Sequence, residues 1–241
     1  MFLKPLFQVL YKSQVQTKRS YGQFCGVARA LDVIGDRWTL LMIRELILGP
    51  QRYRDILDAL PGIGTNLLAR RLRDLDHAGI VQRRKLPRPA GSTVYELTHL
   101  GRELEPIVIA LGRWGRKFLA HEQGKEIFQA RYLLFALRAN FVEKQARGIT
   151  ETYELRTGDE VVHARVQSGR LEVGEGPALE PDLVIEAPLE VLLAISRGDS
   201  EPGTEIGAGR LELKGKRSSF RRFWAIFEGQ ALFSGDTEAA S

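Results

Sequence analysis

The residues best equipped for chemistry lie between Leu60 and Leu97, in LPGIGTNLLARRLRDLDHAGIVQRRKLPRPAGSTVYEL. Asn66 offers the paired donor and acceptor that match an adenine edge, and Arg70 or Arg73 the forked donors that match guanine O6 and N7. Thr65 suits a phosphate or a base edge. Arg52, Tyr53 and Arg54 supply donors that can anchor phosphates beside a groove. Arg83, Arg84, Lys85 and Arg88 add a basic hairpin. The chemistry of this set is recognition of duplex DNA. A competing reading pairs Arg71 and Arg73 with Asp74 and Asp76 on a solvated helix face. It suits Arg71, which lies nearer the apolar stripe, better than Arg73.

Other chemistries find little support. His77, His99, His121 and His163 are dispersed, and no CxxC or HExxH spacing could hold a metal. GRLELKGKRS resembles a phosphate loop only superficially. Five residues separate Gly209 from Gly215, and Arg217 stands where Ser or Thr is required. The GIG at Gly62–Gly64 lacks the third glycine of a dinucleotide fingerprint. Both read as turns, so no enzyme and no cofactor is expected. Cys25, the only cysteine, rules out an internal disulfide and fits a reducing, cytoplasmic setting. It reads as a small hydrophobe; a redox sensor would need a lowered thiol pKa.

Periodicity supplies the elements that would position the DNA-reading set. Leu68, Leu72 and Leu75 form one apolar stripe, predicting a helix that opens at Thr65, capped by its hydroxyl, and ends at Gly79. Asn66, Ala69, Arg70 and Arg73 share another face. IVQRRK and STVYEL predict the two strands of a wing. Upstream, a first helix is expected over Gln23–Ile34. A second follows in RWTLLMIRELIL, capped by Asp36 and stopped by Gly49-Pro50. A third lies in RYRDILDAL, with Pro61-Gly62 turning into the Thr65 helix. Thr98 is expected to cap a long helix to about His121, carrying Leu104, Ile107, Val108, Leu111, Trp114 and Phe118. That apolar face calls for a subunit partner or for packing on the rest of the chain.

The 241 residues allow two domains, and 44% hydrophobic with 27% charged residues describes a soluble globular chain. The net charge of +5 is uneven: residues 1–120 carry 20 Lys and Arg against 10 Asp and Glu, and residues 121–241 carry 15 against 20. A polyanionic partner is therefore expected for the first half. No apolar run approaches a bilayer span, and FLKPLFQVLY lacks a cleavage site after it, so neither a membrane segment nor a secretory signal is expected.

After a helix over about Lys125–Ala146 and Gly148, the texture changes. TYELRT, VVHARVQ, RLEV, DLVIEA and RLELKG alternate as strands, with turns at Gly158-Asp159, Ser168-Gly169 and Gly174–Gly176. Helices are expected in PLEVLLAISRG, closed by Gly198, and in SSFRRFWAIFEG. The fold class is mostly α with a winged helix-turn-helix N-terminal domain, plus an α+β C-terminal domain of antiparallel sheet with helices on one face. The expected organisation is an arm of unassigned role at 1–20, a DNA-binding domain at 21–122, an α+β domain at 123–233 and a frayed tail at 234–241.

Cys25, GDRWTLLMIREL, RYRDI, GTNLLARRLRDLDHAGIV, YELT and GRWG, in that order over about residues 25–118, resemble the HxlR family of winged-helix transcriptional regulators. The resemblance implies a homodimeric DNA-binding regulator with contacts from the first helix and the helix after the wing: Val27, Leu31, Leu104, Ile107, Leu111, Trp114 and Phe118. Some family members sense oxidants through the matching cysteine; Gly26 stands here where most have proline. PDLVIEAPLEVLLAISRGDSEPGTEIGAGRLELKG resembles sterol-carrier-protein-type domains, which enclose a hydrophobic cavity. An apolar small molecule would then meet Leu183, Ile185, Leu189, Leu192, Leu193, Phe220, Phe223, Trp224 and Phe227, or these residues fill the core.

The expected function is a cytoplasmic, dimeric regulator reading a pseudo-palindromic operator, with an apolar ligand biasing its geometry. The alternative is a lipid-binding or lipid-transfer module that uses the winged helix for protein contacts.

Overall fold

The computed structural model describes residues 20–87, 91–115, 118 and 127–227. Residues 1–19 of the expected arm, Arg88, the helix end at His121, the helix start at Lys125 and the tail 234–241 lie outside them. The chain divides into two compact units, Met1–Gly112 and Arg113–Ser241.

In the first unit, helices α1 (Gly26–Ile34), α2 (Thr39–Ile47), α3 (Tyr53–Ala59) and α4 (Thr65–His77) precede a hairpin of β2 (Val81–Lys85) and β3 (Thr93–Leu97). The sequence did not announce β1 (Gln51–Arg52), which pairs antiparallel with β3 and completes a sheet ordered β1-β3-β2. The core comes from the helices and the hairpin: Ala28 and Ile34 of α1, Met42, Ile43 and Leu46 of α2, Ile56 of α3, Leu68, Leu72 and Leu75 of α4, and Val81, Val94 and Leu97 of the hairpin. Each of the larger side chains contributes about 1.5–3 kcal/mol by leaving water.

Several expected ends moved. Thr65 is the first helical residue of α4, its N-cap is Gly64, and no side chain caps that turn. Asp36 does not cap α2 with its side chain; Trp38 holds the cap position, and the Asp36 carboxylate pairs with Arg71 instead. The first helix starts at Gly26, not Gln23. At the far end of α4, Gly79 adopts φ +71°, as a helix-ending glycine should.

The helix expected after Thr98 is two pieces, α5 (His99–Arg102) and α6 (Glu105–Gly115). Pro106 lies in the first turn of α6, where its missing N–H is harmless; a single helix run through from Thr98 would have placed it inside the helix. Thr98 is a hub. Its hydroxyl accepts from the Gly101 N–H at 3.0 Å and donates to the Gly79 carbonyl at 2.5 Å, and its own N–H donates to the Ile80 carbonyl at 3.0 Å. A Cβ on Gly101 would stand 2.1 Å from that Ile80 oxygen, so only glycine fits.

The second unit holds α7 (Ala130–Ala139), β4 (Thr150–Thr157), β5 (Glu160–Gln167), β6 (Arg170–Glu175), β7 (Leu183–Glu186), α8 (Leu189–Arg197), α9 (Pro202–Gly207), β8 (Glu212–Gly215) and α10 (Arg217–Ile226). The helix expected at Lys125–Ala146 is shorter within the described residues, and α9 was not foreseen. The sheet runs β6-β5-β4-β7-β8. It is mixed, not antiparallel: β4 and β7 run parallel, because the chain leaves edge strand β6 and returns beside β4 on the opposite side. Gly174 lies inside β6 instead of in a turn, its missing Cβ leaving room for the His163 ring.

Strand alternation separates two sheet faces. Tyr153, Val162, Ala164, Val166, Leu183 and Ile185 share the buried one. Tyr153 packs there on Phe223 and Phe227 of the α10 segment, with ring centres 5.3 and 6.1 Å away. Glu151 joins the same packing by accepting from Ser219 at 3.1 Å and pairing with Arg222. The Arg131–Glu175 pair, at 2.8 Å, ties α7 to β6. The other face carries Glu154, Arg156, His163, Arg165, Gln167, Arg170 and Glu172.

Candidate nucleic-acid interface

Helix α4 sorts its polar side chains by what lies beneath them. Leu68, Leu72 and Leu75 anchor one side in the core. Arg71, nearest that side, is 19% exposed and held by Asp36 and by Asp74 at 3.2 Å. Thr65, Asn66, Arg70 and Arg73 are exposed, and Asn66, Arg70 and Arg73 have no partner among the described residues. A helix so divided presents one row of free, base-matching groups. Arg71 braces it from behind against the turn between α1 and α2.

The front of α4 is fixed by α3. The Tyr53 hydroxyl donates to the Thr65 carbonyl at 2.7 Å, so Tyr53 acts as a strut, its proton already used. Arg52 and Arg54 are exposed at the start of α3. Asp55 accepts from the Arg52 N–H at 3.1 Å, and Arg54 leans on Asp58 at 3.1 Å, a pair open to solvent and readily exchanged for a phosphate.

The hairpin cations are not equivalent. Glu96 on β3 takes Arg84 with both oxygens at 3.0 Å and also Gln82 at 2.9 Å. Hydrogen bonding to Arg84 holds the Glu96 carboxyl below its ordinary value, and the same bonds hold the Arg84 guanidinium above its own. Arg83 reaches Asp76 at 3.5 Å. Lys85 is exposed and has no partner among the described residues. Arg88 lies outside them. Sequence reasoning counted four wing cations and missed the Glu96 clamp. The register Gln82↔Glu96 and Arg84↔Val94 contains it, but only once the turn fixes which residues face each other.

The expected dimer set is unsatisfied in the single chain. Val27, Leu31, Ile107, Leu111, Trp114 and Phe118 are exposed and Leu104 is half-buried. Trp114 and Phe118 meet edge to face, 4.8 Å between centres. Cys25 precedes α1 and is exposed; the Ala28 and Val27 N–H groups of that first turn hold its thiol below the ordinary value. In the second unit, Leu183, Ile185, Phe223 and Phe227 are buried, while Leu189, Leu192, Leu193, Phe220 and Trp224 are half-buried. Among the described residues, no group of three or more His, Cys, Asp or Glu is placed to hold a metal, and no helix is long and apolar enough to cross a membrane.

Known proteins match the part of the chain that carries this interface. The HxlR-like helix-turn-helix family matches residues 33–123. The uncharacterized HTH-type transcriptional regulator sll1512 of Synechocystis sp. is 38% identical over 101 residues, spanning 42% of this chain and 75% of that protein. The chain belongs to the HxlR-like family. The HTH-type transcriptional regulator YodB of Bacillus subtilis is 34% identical over 89 residues, 37% of this chain and 80% of its own. The solved redox regulator HypR, in its reduced form, is 34% identical over 39% of this chain and 92% of its own, with a TM-score of 0.36. As in other HxlR-like proteins, the N-terminal part is that of a DNA-binding transcriptional regulator. The family match ends at residue 123, short of the mixed sheet.

Proposed function

We propose that the protein works as a cytoplasmic homodimer that reads a pseudo-palindromic operator, with α4 in the major groove and the β2–β3 hairpin on the flanking backbone. The observation that carries this reading is the row of exposed, unpartnered Asn66, Arg70 and Arg73 on α4, set against the tethered Arg71. Arg52, Arg54, Arg83, Lys85 and Arg88 serve the phosphates, Arg84 joins them only when it leaves Glu96, and Tyr53 and Thr65 fix the entry of the helix. Free base-matching groups favour DNA over a lipid-transfer module whose winged helix contacts protein.

The exposed faces of α1 and α6, from Val27 to Trp114, and Phe118 beyond them would be covered by a second copy. Two copies of α4 would then lie about 34 Å apart, one helical turn of DNA. Selection of bound duplexes from random sequence tests the whole reading. A two-fold motif with half-sites one turn apart is expected; enrichment without any shared motif would refute it.

The C-terminal unit is assigned to effector binding, in the manner of sterol-carrier-type domains. An apolar molecule would enter beside Leu189, Leu192, Leu193, Phe220 and Trp224, the half-buried members of the expected set. Native mass spectrometry before and after organic extraction reads its presence; a mass unchanged by extraction, and by added fatty acid, refutes it. Control of DNA binding would then require different affinities for two dimer arrangements.

A further inference from the structure

The sheet face turned away from Tyr153 carries a feature that DNA binding leaves unused. Arg165, Gln167, Ser168, Arg170 and Glu172 line a depression of about 470 Å3 at the β5–β6 end of the sheet. That volume lies within the few-hundred-Å3 range of small-molecule sites. The register sets Arg165 across from Glu172 and Gln167 across from Arg170, all four on one face. Arg165 and Arg170 are therefore diagonal neighbours, about 7–8 Å apart at the backbone and within mutual reach of their long side chains.

Neither guanidinium has a hydrogen-bond or ion-pair partner among the described residues, although Glu172 stands directly opposite Arg165. Elsewhere in this unit Arg131, Arg156, Arg210, Lys214 and Arg222 each reach a carboxylate, while Arg147, Arg217 and Arg221 show no partner among the described residues; Arg165 and Arg170 are set apart by lining one depression together. The platform beneath is rigid. Val162, Ala164 and Val166, on the reverse side of β5, are fully buried, and the turn is fixed by left-handed Ser168 and Gly169. Two unpaired like charges held on a stiff surface repel unless an anion lies between them, and a forked guanidinium suits a planar or tetrahedral oxyanion.

We propose that this depression binds a small metabolite bearing a phosphate or carboxylate group, the oxyanion bridging Arg165 and Arg170. Gln167 and Ser168 add neutral donors. Glu172 accepts from a hydroxyl or amino group on the same molecule. A bare run of phosphates would meet the Glu172 carboxylate as a like charge, so the lining favours a compact ligand of mixed polarity over a polyanion. The site is independent of the reading of α4 and of any apolar molecule on the opposite face.

The test titrates the full chain with inorganic phosphate and with glycerol 3-phosphate at constant ionic strength, following arginine Nε–H resonances. Both probes should bind saturably, and Arg165→Ala/Arg170→Ala should weaken both by about tenfold or more. Glu172→Ala should weaken glycerol 3-phosphate relative to inorganic phosphate, since only the former extends alcohol hydroxyls beyond the phosphate for an acceptor at that position. All three side chains are exposed, so an unchanged melting temperature is expected; Arg170→Gln gives a milder variant of the same loss. Absence of saturable binding, or equal binding by the arginine variants, overturns the proposal. It is equally overturned if those variants lose affinity for duplex DNA while the unaltered protein ignores both probes, which would give the arginines to a nucleic-acid backbone.

Discussion

Replacing Glu96 by glutamine should make the protein bind DNA more tightly, by an amount that shrinks as salt rises. In the free protein Glu96 holds Arg84 with two contacts of 3.0 Å, so a phosphate must displace a carboxylate to recruit that guanidinium. Glutamine keeps one oxygen for Gln82 or Arg84 but removes the charge. Arg84 then becomes a free cation on the hairpin, like Lys85. Each additional phosphate neutralised steepens the dependence of log affinity on log salt by about 0.9. Between 50 and 200 mM salt, that single contact alters the ratio of variant to unaltered affinity by about 3.5-fold, with the gain largest at low salt. Fluorescence anisotropy on a selected operator, run across that range, measures both affinity and slope. Parallel salt lines for the two proteins, or weaker binding by Glu96→Gln at 50 mM, would refute the reading that Glu96 withholds Arg84 from the DNA backbone.

Other perturbations probe separate parts of the molecule. Arg70→Ala should cost about 1–3 kcal/mol on the cognate operator and relax preference at one base pair, whereas Arg71→Ala should leave base preference unchanged and lower the melting temperature, because Arg71 braces α4 against Asp36; selection profiles and melts of both variants decide it. Leu72→Ala empties a site that is 1% exposed and should destabilise the first unit by about 2–5 kcal/mol in urea unfolding. Burial raises the Glu151 carboxyl, but bonds from Arg222, Tyr153 and Ser219 outweigh it and hold the group below its ordinary value. Its contribution is therefore present above the ordinary glutamate value of the unfolded chain and disappears as pH falls through the lower folded-state value. Urea unfolding from pH 7 to pH 3 should show a shallower acid loss in Glu151→Gln, and identical acid limbs would refute the linkage.

Periodic and glycine-marked features were legible in the sequence; features that depend on distant register were not. The leucine spacing of α4 and the left-handed Gly79 after it announced that helix to within a residue or two, since both signals are local. The five strands of the second unit announced themselves by alternation and by turn residues such as Ser168-Gly169. The parallel pairing of β4 with β7 did not, because nothing local distinguishes a strand that pairs parallel from one that pairs antiparallel. The same reason hid β1, two residues long, which exists only because β3 offers it an edge. Polar caps misled for another reason: Thr65 and Asp36 have the right chemistry, but Gly64 and Trp38 take those places, and Asp36 goes to Arg71, an attachment between residues 35 positions apart. Of the candidate interface, the cations could be counted in the sequence, but which of them are free could not.

The knot around Thr98 makes the hairpin a pointer with a clamped root. Gly79, Ile80, Thr98 and Gly101 are bound to one another within a few ångströms, and Gly101 leaves no slack against the Ile80 carbonyl. From there the ladder runs through five residue pairs to Lys85↔Thr93, a reach of about 14 Å at 3.4 Å per step. A tilt of about 5° at the root would sweep Lys85 through roughly 1 Å over that reach, enough to make or lose a phosphate contact. Because α5 shares the root, and Gly79 and Ile80 tie it to the last turn of α4, leverage on the helices that follow the wing would reach the hairpin and the end of α4 through one joint, magnified at the hairpin tip by the length of the arm.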